Sequence, residues 1–222
     1  MVPDAMFWIV VFFIYGLAFF SMGLALAVEC RRSSAVLLRS SLVYLAAFAL
    51  IHGAVEWLDM FLLIDSQSVP GDGSNDVLRG MRIFLLAVSS VCLLQFAAKL
   101  LTTTTKKYMW LQLVPFVLFV GWLVSFFIPH FYLIPAGQTS ATGLCLQCHP
   151  GDASSLWALS AGWVSQADIG ARYILYLPGS ILAALAMLSL RSSFAQMGLH
   201  HLGWYTVLAA GAFLVNALVA GV

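Results

Sequence analysis

Six long apolar runs leave this chain few folds to choose from. They extend from Met6 to Val28, Val36 to Leu63, Val77 to Leu101, Tyr108 to Phe127, Ile169 to Leu190 and Leu202 to Val222. A helix needs about 20 apolar residues to cross the hydrocarbon of a bilayer, and each run is of that order. In lipid every backbone polar group must find its partner inside the protein, so only helices and closed barrels span. A barrel is written in short alternating segments, whereas these runs are long and uniformly apolar. Composition agrees: 62% of residues are hydrophobic and 9% charged, against about a quarter charged in soluble domains. The expected fold is an all-α integral membrane protein, a bundle of about six transmembrane helices forming one membrane domain over residues 1–222.

The leading segment "MVPDA" has no positive charge, and the apolar run behind it is too long for a signal-peptide core. The first helix is therefore expected to stay in the membrane. Orientation follows from Lys and Arg in the connections. The first connection carries Arg31, Arg32 and Arg39, the third Lys99, Lys106 and Lys107, and the fifth Arg191 with His200 and His201. The second, "DSQSVPGDGSND", holds three Asp and no Lys or Arg, and the fourth, from Pro129 to Asp168, has no Lys or Arg either. Arg79, Arg82 and Arg172 sit just inside helices on that less basic side. The odd-numbered connections are thus expected in the cytoplasm, with both termini and the 129–168 loop extracytoplasmic. A net charge of +1 offers no footprint for nucleic acid.

Within the fourth connection lies "TSATGLCLQCHPGD", with Cys145, Cys148 and His149 spaced as Cys-x-x-Cys-His. Two thiols at this spacing form thioethers to the two vinyl groups of haem, and the adjacent histidine supplies the proximal iron ligand. Thioether attachment requires the extracytoplasmic compartment, which the charge distribution assigns to this loop without reference to the motif. Two other readings remain. A redox-active Cys145–Cys148 disulfide leaves His149 without a role. A zinc site wants four ligands, and no second Cys/His pair stands on this side. Farther along the loop, "DASSLWALSAGWVSQAD" reads either as a short interfacial helix anchored by Trp157 and Trp163 or as irregular chain with the same two tryptophans in the headgroup belt. Cys30 and Cys92, elsewhere in the chain, read as inert buried thiols.

For the sixth iron position the first candidate is His130, at the outer end of the fourth helix and close in sequence to the motif. Met60, ending the second helix, and Met81, beginning the third, are the alternatives on the same side. An open site or a ligand from another chain is also compatible with the sequence.

The second helix carries "LIHGAVEWLDMF", in which His52, Glu56, Asp59 and Met60 recur at helical spacing and share one face. Ionisable groups at this depth are costly and face the bundle interior with partners. Arg79, Arg82 and Arg172 are the available counter-ions. The stripe reads as an interhelical ion-pair network or as a polar cavity, proton path or quinone pocket beneath the haem loop. A quinone cofactor is possible on this pattern and has no further support. A b-type haem on His52 would need an opposing histidine, and no other helix core has one. Pro178, followed by Gly179, is expected to kink the fifth helix.

The stretches "YGLAFFSMGLALAVECRRSS", "LAAFALIHGAVEWLDMF" and "ARYILYLPGSILAALAMLSLR" resemble the multi-helix membrane input region of bacterial sensor histidine kinases and diguanylate cyclases. The likeness covers the first, second and fifth helices. It implies that Glu56, Trp57, Asp59, Arg172 and Tyr173 belong to a shared framework. The haem motif is not part of that pattern, and no cytoplasmic output module follows before Val222.

Two functions of different class are expected from these features. One is an integral-membrane c-type cytochrome subunit of the bacterial inner membrane, carrying one covalent haem c and passing electrons within a larger complex. The other is a sensory input domain reading redox state or a small gas through haem or the cysteine pair. A structural assembly subunit is a third. Each implies contact with membrane lipid and with other membrane subunits or electron-transfer proteins. No nucleophile and base appear together outside the haem motif, so independent catalysis has no positive support.

Overall fold

The computed structural model describes residues 3–32, 36–66, 75–105, 109–127, 165–196 and 200–220. All of them are helical or in the turn that joins two helical pieces, and no strand occurs among the described residues. Helix α1 covers Pro3–Arg32, α2 Val36–Ser66 and α3 Asn75–Thr105. After a short 3-10 turn, Met109–Gln112, α4 covers Val114–Trp122 and continues as a π-helical turn, Leu123–Phe127. Helix α5 starts at 165, widens into a π-helical turn over Ala171–Tyr176 and resumes as Leu177–Gln196. Helix α6 covers His200–Ala220.

Five of these helices are long and apolar enough to cross a membrane. The sixth was expected to be a full span, but its apolar stretch among the described residues is shorter, Gly203–Leu218. The fourth segment also departs from a single helix, and Pro115 explains why. Proline has no N–H to give, so it fits the first turn of a helix and not its interior. The chain closes a tight turn first, with the Leu113 N–H on the Trp110 carbonyl at 3.0 Å, and α4 starts immediately before Pro115.

Helix α1 packs on α2, α2 on α3, α3 on α5, and α5 on α6, while α4 leans on α3 and the start of α5. Helix α3 is the central member, with most of its span buried, and α1 and α4 are peripheral. The interior divides into two clusters, one around Phe48, Leu93, Phe96 and Tyr176, the other around Val55, Ile83, Trp122 and Leu175. Outward-facing positions are apolar too, among them Phe7, Trp8, Phe116, Val117, Leu185 and Leu208. An apolar exterior of this extent is foreign to a soluble protein and native to a bilayer.

Without a hydrophobic drive between helices in lipid, close packing at small residues holds the bundle together. Gly16 and Gly53 provide it between α1 and α2. A Cβ on Gly53 would lie 2.8 Å from the Gly16 carbonyl oxygen, and one on Gly16 would lie 2.6 Å from the Trp57 ring. That ring covers α1, and its indole N–H donates to the Phe13 carbonyl at 3.4 Å. Hydroxyls inside α3 are satisfied by their own helix, as where Ser89 and Ser90 both donate to the Leu86 carbonyl at 2.8 Å.

Candidate functional site: a polar cavity among α1, α2, α3, α5 and α6

Asp59, Arg82 and Arg172 each lie about two helical turns from the end of their helix, which places them at one depth on one side of an up-and-down bundle. Arg82 of α3 forks onto the carboxylate of Asp59 through Nε and Nη2. Its remaining nitrogen, Nη1, donates to Asp168 Oδ1 at 2.7 Å. The second oxygen of Asp168 accepts from Arg172 Nε at 3.1 Å, four residues farther along α5. Two carboxylates and two guanidiniums therefore neutralise one another across α2, α3 and α5. A guanidinium fork is the geometry suited to two carboxylates at once, and breaking such a pair leaves a buried charge uncompensated.

The rest of the polar stripe behaves differently. Glu56 is one helical turn deeper than Asp59, reaches no arginine among the described residues, and lies 3.6 Å from His52 Nε2. The imidazole is buried and stacked on Tyr176, ring centroids 5.5 Å apart at 14°, with Phe48 at 5.2 Å and the edge of Phe19 at 4.8 Å. Its Nδ1 has no hydrogen-bond partner among the described residues. Beyond Tyr176, a second chain of hydrogen bonds joins three helices. The Tyr15 hydroxyl of α1 donates to Asn216 Oδ1 of α6 at 3.1 Å, and Asn216 Nδ2 donates to the Tyr176 hydroxyl at 2.5 Å.

Between these two networks is a cavity of about 690 Å³. Arg82, Arg172, Asp59 and Glu56 line one part, His52, Tyr176, Tyr15 and Asn216 another, and Val11, Phe12, Val55, Leu86, Ala212 and Val215 supply apolar wall. Pockets of about 300–1,000 Å³ with mostly apolar walls and a few convergent polar groups are the usual form of small-molecule sites. Among the described residues no three His, Cys, Asp or Glu side chains come together as a metal site.

The π-helical turn in α5 shapes this wall. Pro178 has no N–H, and its ring would crowd the carbonyl four residues back. The Leu177 N–H bonds to the Arg172 carbonyl, five residues earlier, so the helix is wider just where Arg172 and Tyr176 enter the cavity. The expected kink at Pro178 thus takes the form of a widened turn that rotates functional side chains.

Of the counter-ions expected for the stripe, Arg82 and Arg172 join the cluster and Arg79 does not. Arg79 is exposed and makes no ion pair among the described residues. It lies one turn closer to the helix end than Arg82, short of the depth at which Asp59 and Asp168 stand. Neither Met60 nor Met81 lines the cavity, and Met81 is 45% exposed. Cys30 is buried and Cys92 half-buried, both as free thiols. His130, Cys145, Cys148, His149, Trp157 and Trp163 lie outside the described residues.

Asp168, Tyr15, Tyr176 and Asn216 were not anticipated as site residues. Asp168, Arg172 and Tyr176 follow one another at four-residue steps, which is a helix face legible in "DIGARYILY". Asn216 is the lone side-chain amide in the last apolar run. The chain matches no protein-family model, no curated protein and no solved structure.

Proposed function

We propose that this chain is an integral-membrane c-type cytochrome subunit that holds one haem at the extracytoplasmic face and passes electrons within a larger membrane assembly. The observation that carries this reading is the Cys145-x-x-Cys148-His149 sequence in the connection between α4 and α5. The two thiols attach the porphyrin covalently, and His149 holds the iron from the proximal side. Bound there, haem supplies one-electron exchange. The protein supplies attachment, the axial ligands that set the potential, and a fixed distance to the next carrier. His130 is proposed as the sixth ligand, with Met60 and Met81 the next choices. The Lys and Arg distribution supports an extracytoplasmic position for the connection, and the proposed location is a bacterial inner membrane.

A second reading, a membrane sensory input domain, draws support from one observation. The three stretches that resemble sensor input regions contribute Tyr15, His52, Glu56, Asp59, Arg172 and Tyr176, which are most of the polar lining of the cavity. A cavity of this kind suits the recognition of a small molecule. Both readings are tested on the chain expressed with haem-maturation machinery, by denaturing electrophoresis followed by haem-peroxidase staining. A stained band that disappears in the Cys145→Ser, Cys148→Ser double variant supports haem attachment, and an unstained wild type refutes it. Copurification from native membranes then separates the two functions, redox subunits indicating electron transfer and a kinase or cyclase indicating sensing.

A further inference from the structure

The cavity itself has a chemistry that the haem connection does not explain. Asp59 and Asp168 are paired with Arg82 and Arg172, and Glu56 is the one carboxylate of the lining without an arginine among the described residues, beside His52. An anionic ligand would have to break those pairs and would face the Glu56 carboxyl as well, so the site suits a molecule without negative charge. Its walls carry aromatic faces, Phe12, Tyr15 and Tyr176, together with the His52 ring. Its hydrogen-bonding capacity is also incompletely used. The Tyr176 hydroxyl accepts from Asn216, which leaves its own proton to give. His52 has no partner at Nδ1, and at Nε2 its neighbour Glu56 is at 3.6 Å, beyond a normal hydrogen bond. Buried polar atoms without partners are rare in native proteins and ask for an explanation. A ligand bearing carbonyl oxygens would accept from the Tyr176 hydroxyl and, with the imidazole proton on Nε2, from His52, whose Nε2 is not closed off as Nδ1 is.

The route into the site points to the source of such a ligand. Helix α1 packs along α2 and α6 along α5, and the two pairs meet across the cavity through Tyr15 and Asn216. Tyr15 is 39% and Val215 61% exposed on that flank, so the lining reaches the surface that faces lipid. A ligand entering there comes from the bilayer. It combines a flat ring, carbonyl acceptors, no negative charge and an apolar tail.

We propose that this cavity binds a lipid-soluble quinone, its head against His52 and Tyr176 and its tail leaving between α1 and α6. The cavity volume of about 690 Å³ accommodates such a head and the first part of its tail. The site does not depend on haem attachment, although a quinone here would suit the proposed electron-transfer role.

The test is calorimetric titration of decylubiquinone and of a short-chain menaquinone analogue into the full chain in lipid nanodiscs. It is run on the wild type and on the haem-free Cys145→Ser, Cys148→Ser variant. Saturable binding of one of the two quinones by both proteins is expected. Tyr176→Phe keeps the ring and removes only the hydroxyl, and should weaken binding about tenfold, as for one lost buried hydrogen bond. Ala212→Trp, at an exposed position of the lining, should remove binding by filling the entrance. Arg79→Ala, outside the cavity, should change nothing. Absence of saturable binding overturns the proposal. So does binding that both cavity variants leave intact, and so does equal heat from decanol, which would show an apolar slot without ring recognition. Quinone binding without haem staining leaves this inference standing and removes the cytochrome reading; staining without binding does the reverse.

Discussion

The indole N–H of Trp122 donates to the Ala167 carbonyl at 3.2 Å, and both residues are buried. One turn beyond, Gly170 accepts the Phe126 ring so closely that a Cβ would come within 2.7 Å of it. The end of α4 and the start of α5 are therefore fastened to each other. The connection that carries Cys145, Cys148 and His149 leaves and re-enters the bundle at neighbouring points. Trp122→Phe should lower stability by about 1–3 kcal/mol, the cost of a lost buried hydrogen bond plus a small cavity. Thermal unfolding in detergent checks this, and an unchanged midpoint would show that the bond does not hold the two helices.

Arg82 serves two carboxylates on two other helices, which makes it the least replaceable member of the ion cluster. Arg82→Leu leaves Asp59 without its fork and Asp168 with Arg172 as its one remaining ion pair among those described. The cluster is partly buried, so the loss should be below the roughly 3–5 kcal/mol that breaking a fully buried pair costs. Asp168→Asn leaves the Arg82–Asp59 fork in place and should cost less. The order of the two unfolding midpoints checks the arrangement; an Arg82→Leu chain as stable as Asp168→Asn would contradict it.

Gly53 is the tightest approach of backbone to backbone between α1 and α2, its missing Cβ standing 2.8 Å from a carbonyl oxygen that cannot rotate away. Gly53→Ala should force the helices apart and cost about 1–3 kcal/mol. Gly16→Ala should cost less, because its nearest obstacle, the Trp57 ring, can turn aside at the expense of the bond to Phe13, and the Gly53 carbonyl oxygen stands farther off, at 3.0 Å. Equal midpoints for the two variants would show that the ring is as immobile as the backbone.

Much of the fold is legible in the sequence because the bilayer forces a single answer from a long apolar run. The first, second, third and sixth segments fall within about four residues of their helices; the fifth helix, 165–196, runs four residues farther at its start and six at its end, and in the fourth Pro115 shortens the α-helical part. The pairing of Asp59 with an arginine is legible for a similar reason, since a carboxylate at that depth needs a partner. Which arginine is not legible, because Arg79 and Arg82 are separated by one helical turn and only packing decides which reaches α2. The chain from Tyr15 through Asn216 to Tyr176 was hidden for a different reason. Tyrosine in a membrane helix reads as an interfacial anchor, and nothing local shows that two of them, on α1 and α5, converge on an asparagine of α6.

His130 is the proposed sixth ligand of the haem. His130→Ala should leave the thioethers intact while changing the reduced-minus-oxidised spectrum and the midpoint potential, because a second imidazole holds iron differently from a thioether or an open site. Spectroelectrochemistry of the purified variant checks this. An unchanged spectrum and potential would exclude His130 and move the test to Met60 and Met81.

The intact mass of the chain, purified from membranes of cells with haem-maturation machinery, tests the central proposal most directly. The polypeptide alone is 24.1 kDa. Covalent attachment through Cys145 and Cys148 predicts that mass plus one haem under denaturing conditions, with the extra mass absent from the Cys145→Ser, Cys148→Ser double variant. A denatured wild-type chain with the mass of the polypeptide alone would contradict the cytochrome reading.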